Sequence, residues 1–248
     1  MRLELDDDFS ADALGPVWTA HYLPHWSTPD RSHARYDLDG SLRLRIDADQ
    51  PTWTADEPIR VSSIQTADFS GPAGSTRGIH PHRAGLRVVS PASLRLGWAP
   101  VAGGVEVTVA ASTDPGCMTA AWLVGTEHLS GDGGASGELC LFELDAEAIG
   151  PERSRARTGI KAHRDPRLVT DLGAVDLPFD ASRPHTGSVE WGHGVTVISC
   201  EGVELRRLAQ APEYPLVLLV DLFETSHAGE GRYPKTARIL RVRGWAAY

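Results

Sequence analysis

Two glutamates five residues apart, Glu138 and Glu143 in GELCLFELDAE, are the side chains best placed for bond-making chemistry. The segment alternates as a strand does, with Leu139 and Leu141 on one face and Glu138 and Cys140 on the other. In a regular strand the odd offset sends Glu143 to the face opposite Glu138. One bulged residue near Leu141 or Phe142 brings it back. Carboxyl groups about 5–5.5 Å apart on one face suit double displacement at an acetal carbon: one attacks, while the other protonates the leaving oxygen and then serves as base. Two solvated strand glutamates leave the same pattern in a sequence.

Other chemistries are less well supplied. His80 and His82 in HPH, and His21 with His25, come without the third and fourth ligands that zinc needs, so no metal ligands are predicted. Asp6 to Asp8 offer oxygen ligands, of which calcium needs six or more. A GxSxG elbow is missing, which argues against an esterase. The stretch SGDGGASG, Ser130 to Gly137, reads as a mobile loop and lacks the Lys-Ser/Thr ending of a phosphate loop. Cys140 has no histidine near it in sequence to make a thiolate and reads as a small buried hydrophobe.

These residues must be positioned by a chain of 248 residues with net charge −9, 41% hydrophobic and 23% charged. That length allows one large β core, so a single domain over 1–248 is expected. The 25 glycines and 17 prolines are scattered among short apolar runs, as many turns require. Period-two alternation marks strands in Gly40–Ile46, Gly103–Val109 and Ala237–Arg243. Thr186–Leu208 reads as a meander of hairpins turning at Gly192–Gly194 and Gly202. Tyr214–Glu224 is apolar enough to be buried on both faces. Only Asp145–Ile149 and Asp165–Thr170 read as short turns of helix. The expected class is all-β, a two-sheet sandwich.

The acid excess argues against nucleic acid, and no apolar run reaches the roughly 18 residues of a membrane span. The densest basic stretch, Arg153 to Lys161, reads as a solvated loop. Three cysteines without paired spacing fit a reducing compartment, so a cytoplasmic location is expected, or a secreted one if a leader was trimmed.

GCMTAAWLVG and then SGELCLFE resemble the Trp-containing strand, variable loop and GExDxxE pattern of the laminarinase-like branch of glycoside hydrolase family 16. HTGSVEW, the segment through EGVELRRL, and YPLVLLVDLFE are similar to the same family's HTYxxEW, xxxFYVDGxxV and YPMxLxL stretches, and DDFS to its early DEF. The resemblance runs from about Asp7 to the C-terminus. It implies a concanavalin A-like jelly roll with a cleft on the concave sheet, and retaining hydrolysis or transglycosylation of β-linked glucans or galactans.

By that resemblance Glu138 is the nucleophile and Glu143 the acid/base, with Cys140 standing where the family has Asp. A thiol with a reference pKa near ~8.5 brings no negative charge to its neighbours. The alternative reading is therefore a non-catalytic or weakly active carbohydrate-binding protein on the same fold. Trp122 matches the cleft tryptophan, and His163 falls where a sugar-contacting polar residue is expected. Trp26 and Trp53 are expected at the cleft rim, and Trp191 and Gln210 as further substrate contacts. No cofactor is expected to be required, although a structural calcium near Asp6–Asp8 is allowed. The expected partner is a β-linked polysaccharide or oligosaccharide, with no nucleic acid or membrane, and the chain is expected to be a monomer.

Overall fold

The computed structural model describes residues 1–126, 134–225 and 231–247. Among them the chain forms β1 (Arg2–Asp7), β2 (Arg35–Leu38), β3 (Leu42–Ile46), β4 (Arg60–Gln65), β5 (Ala67–Asp68), β6 (Arg95–Leu96), β7 (Gly103–Ala110) and β8 (Cys117–Gly125). The succession continues with β9 (Glu138–Asp145), β10 (Ser154–Lys161), β11 (Asp171–Leu177), β12 (His185–Gly192), β13 (Val195–Cys200), β14 (Val203–Leu208), β15 (Leu216–Glu224) and β16 (Lys235–Ala246). One sheet has the order β14-β13-β12-β7-β16-β3-β2, with β1 also paired to β16. A second has the order β11-β10-β9-β8-β15-β4, and β5 and β6 pair in a small third sheet. The fold is the expected all-β jelly-roll sandwich.

Period-two alternation determines what lies between the sheets. Leu42, Leu44 and Ile46 on β3 and Val105, Val107 and Val109 on β7 face Leu139 of β9 and Leu218, Val220 and Leu222 of β15. The expected hairpins over 186–208 are β12, β13 and β14, turning where the glycines stand. A single 3-10 turn, Ala146–Ala148, occupies the Asp145–Ile149 segment. Of the Ser130–Gly137 loop, residues 130–133 lie outside the described residues.

The strand β15 is buried along its whole length, as its apolar run requires. Its second face, with Val217, Leu219 and Phe223, joins Ala120, Trp122 and Val124 of β8 in a separate apolar layer on the outer side of the six-stranded sheet. Tyr22, Trp26, Trp53 and Ile79 close over that layer from irregular segments. The expectation that Trp26 and Trp53 rim a cleft is thereby corrected: both are almost wholly buried, and their indole N–H groups donate to the carbonyls of Ile79 and Tyr22. Two large aromatic surfaces facing the apolar side of a sheet gain more from leaving water than from standing at its edge.

A second correction concerns the basic stretch. Ser154–Lys161 is β10, paired with β9 on one side and β11 on the other. Its cations follow the strand period, so Arg157 and Lys161 project from the same face as Glu138 and Glu143.

The bulge expected in β9 is present. Against β8, Ala121 opposes Phe142 and Trp122 opposes Cys140, leaving Leu141 as the extra residue. Against β10, Arg157 opposes Glu143 and Gly159 opposes Cys140. Leu141 and Phe142 both enter the core between the sheets, and the alternation resumes with Glu143 on the side of Glu138. Gly159 sits beside this irregularity with φ 142°, where a Cβ would lie 2.0 Å from the Asp171 carbonyl oxygen. Gly159→Ala is expected to cost more than about 1 kcal/mol of stability, measured as a lowered urea midpoint with an unchanged slope.

Candidate functional site

The site lies on the outer face of β8, β9 and β10. The bulge brings a carboxylate oxygen of Glu138, a carboxylate oxygen of Glu143 and the Cys140 sulfur within 4.8 Å of one another. Lys161 stands between the acids, its ammonium 2.9 Å from Glu138 Oε1 and 2.6 Å from Glu143 Oε1. Arg157 donates from Nε to Glu143 Oε2 at 2.8 Å and also pairs with Asp145. The two acids are thus matched by two cations, both from the stretch that the sequence reading left as a loop. Its Arg155-x-Arg157 alternation, followed by Ile160 and Lys161, was the available signal of a strand.

Glu138 lies at the closed end, its side chain 4% exposed, and His163 Nε2 lies 2.7 Å from its other oxygen, Oε2. Burial alone would raise the Glu138 carboxyl, but the His163 hydrogen bond and the Lys161 charge outweigh it and hold the group at about 2. Glu138 is therefore a carboxylate at neutral pH, the form a nucleophile needs. The side chains of Glu143, Lys161, His163 and Arg157 keep partial exposure, so the site opens along that flank.

Cys140 is fully buried, and its Sγ lies 3.5 Å from the Arg157 carbonyl oxygen. Burial, and then the charges of Glu143 and Glu138, push its thiol well above the ordinary value. As read from the sequence, it contributes no charge.

Trp122 stands beside Cys140 on β8 and is almost wholly buried. Its indole N–H donates to Asp221 Oδ2 on β15, and its ring meets His80 edge-on at a centroid distance of 5.0 Å. His80 in turn meets His163 at 4.9 Å. Burial pushes His80 down to about 3, so it is neutral at physiological pH. His80 and His82 lie in an irregular segment.

The remaining candidates are not brought to the carboxylates. Trp191 belongs to β12 of the other sheet, where it packs edge-on against Trp98 and donates to the Val101 carbonyl. Gln210 exchanges two hydrogen bonds with the Val169 backbone and so braces a loop. Asp6 is paired with Arg241, while Asp7 accepts from Trp18 Nε1 and from the Phe9 amide. With an arginine in the group and the carboxylates engaged by protein donors, Asp6–Asp8 do not fit a calcium cage.

Asp221, hidden in the apolar run of β15, gave no signal in the sequence. Burial, opposed by the hydrogen bond from Trp122 and reinforced by the Glu138 charge, lifts its carboxyl to about 8. Between about pH 4 and pH 8 the folded chain holds a proton there that the unfolded chain has lost, so stability falls as pH rises through that window and levels off above it. Asp221→Asn, which keeps an oxygen for Trp122, is expected to raise the melting temperature at pH 8, with the gain fading toward pH 4 in a thermal-shift series.

No family model and no curated protein sequence matches the chain. Solved structures do. A GlcNAcα1-4Gal-releasing endo-β-galactosidase from Clostridium perfringens matches with TM-score 0.81 and 21% identity, over 98% of this chain and 62% of that one. This chain therefore spans less than two thirds of that enzyme's length. A laminarinase from a Flavobacterium species gives 0.64 at 10% identity, covering 98% and 100% of the two chains. The laminarinase catalytic domain from Thermotoga maritima gives 0.65 at 14% identity, covering 100% and 98%. The chain has the jelly-roll fold of these enzymes.

Proposed function

We propose that the chain is a retaining glycoside hydrolase or transglycosylase that cleaves within β-linked chains. The observation that carries this reading is the bulge in β9, which sets the Glu138 and Glu143 carboxylates on one face, with oxygens within 4.8 Å. Oxygens that close suit a direct carboxylate attack, for which the carboxyl groups stand about 5–5.5 Å apart.

In this reading Glu138, held as an anion by His163 and Lys161, attacks the anomeric carbon. Glu143 delivers a proton to the departing oxygen and then removes one from water or from an acceptor sugar. Lys161 donates to both carboxylates, so a glycosidic oxygen that is to reach Glu143 must displace the ammonium; its aliphatic stem and open flank allow this. Trp122 is fixed by Asp221 as part of the wall beside the scissile sugar, and His163 sits within reach of a ring hydroxyl. The C. perfringens enzyme, whose backbone agrees better than the laminarinases do, makes β-galactosides the first substrates to test.

A second reading, a carbohydrate-binding protein with little turnover, is favoured by two particular features. Cys140 supplies no negative charge, and Lys161 with Arg157 neutralises the acid pair.

Reducing-sugar release from β-galactans and β-glucans separates the readings. The hydrolase reading expects release by the natural chain, and a loss of at least about a thousandfold in Glu138→Gln with binding retained. It further expects Glu143→Ala to be rescued by azide with a β-configured glycosyl azide as product. Saccharide-induced thermal shifts with no release by the natural chain would establish the binding reading instead.

A further inference from the structure

His80, Glu138 and His163 come from three separate parts of the chain, and a ring nitrogen or carboxylate oxygen from each lies within 4.8 Å of the others. His80 is more than nine-tenths buried, and among the described residues neither of its ring nitrogens has a hydrogen-bond partner. It is held by ring contacts, edge-on to Trp122 and to His163. Its ring nitrogens are therefore free to act as ligands without breaking a hydrogen bond within the protein. The backbones of His80 and His163 are both left-handed, with φ 48° and 44°, a conformation that the surrounding packing must impose. Both rings are thereby turned toward one carboxylate.

We propose that His80, His163 and Glu138 form a binding site for a divalent transition metal of the zinc class. Two imidazoles and one carboxylate are a borderline donor set, suited to zinc and its neighbours rather than to calcium or magnesium, which take oxygen. The two oxygens of Glu138 are already divided: Lys161 holds Oε1 at 2.9 Å, while Oε2 faces His163 Nε2 at 2.7 Å. A metal ion would take the place of the proton between Oε2 and Nε2, with His163 ligating as the neutral Nδ1–H tautomer; a proton leaves for solvent only where the ring began as imidazolium, and otherwise moves to Nδ1. Oε2 and Nε2 would separate by several tenths of an ångström so that each stands about 2.0–2.2 Å from the ion. Lys161 would remain on Oε1 as an outer partner that orients the ligating carboxylate, with its own charge balanced by Glu143. The fourth position would face the partly exposed side of His163 and hold water. Trp122 and Tyr22 supply the apolar shell around the site.

The ligand set escapes a search by spacing because its members lie some 58 and 25 positions apart; His82, the neighbour in HPH, pairs with Glu57 instead. One consequence rests on the glycosidase reading: zinc would engage the nucleophile and inhibit hydrolysis. The site itself does not depend on that reading.

The test is metal binding without any sugar. Calorimetric titration with Zn2+ and visible absorption with Co2+ are expected to show one equivalent per chain, with the intense bands of a four-coordinate cobalt site. Asn tolerates left-handed backbone, so His80→Asn and His163→Asn keep the local fold, to be verified by circular dichroism. Each is expected to weaken Zn2+ binding by at least about tenfold and to abolish the cobalt bands, whereas His21→Ala changes neither. The proposal is overturned if the natural chain binds neither ion, or if the two Asn variants bind as it does.

Discussion

Side chains of a strand alternate strictly, so a sheet can present two acids five positions apart on the same face only by breaking that alternation once. Leu141 is the break. With Leu141 and Phe142 both committed to the core, the next residue returns to the outer face, and the site exists because the apolar interior accepts two consecutive large side chains at that point. The neighbouring strand accommodates the irregularity at Gly159, whose backbone takes a conformation that a side chain would obstruct. Packing between the sheets and geometry on the outer face are therefore one constraint seen from two sides.

That placement brings an electrostatic problem with it. Two carboxylates this close repel, and one of them is almost wholly removed from water. Here the solution lies in the adjacent strand: β10 supplies Lys161 and Arg157 at the period that faces the acids, and the strained loop beyond it supplies His163. Opposite charge at hydrogen-bond distance keeps Glu138 ionised despite burial. Asp221, equally buried and with no cation beside it among the described residues, goes the other way and keeps its proton near neutrality. The two acids lie on the same sheet, and their partners alone explain the opposite behaviour.

The aromatic layer outside the six-stranded sheet has a similar double role. Tyr22, Trp26, Trp53 and Trp122 bury the second face of β15 and β8, and in doing so they close one end of the site and leave the His163 side open. Tryptophans in turn-rich segments look like rim residues in a sequence, because nothing local reveals that a strand far away has an apolar face to cover.

How much was legible divides along the range of the interactions involved. Strand positions, the hairpins after Thr186, the doubly buried β15 and the need for a bulge near Leu141 all follow from periodicity and turn chemistry, which act between near neighbours in the chain. The sequence by itself therefore determined the all-β class and the two acids. Only the tertiary structure decided their partners: that the basic stretch lies beside them, that His80 and His163 turn toward Glu138, that Trp191 belongs to the opposite sheet, and that Asp221 sits uncharged beneath Trp122. Those are consequences of strand order and of desolvation, both set by contacts between residues tens to hundreds of positions apart, and no local pattern encodes which strands become neighbours.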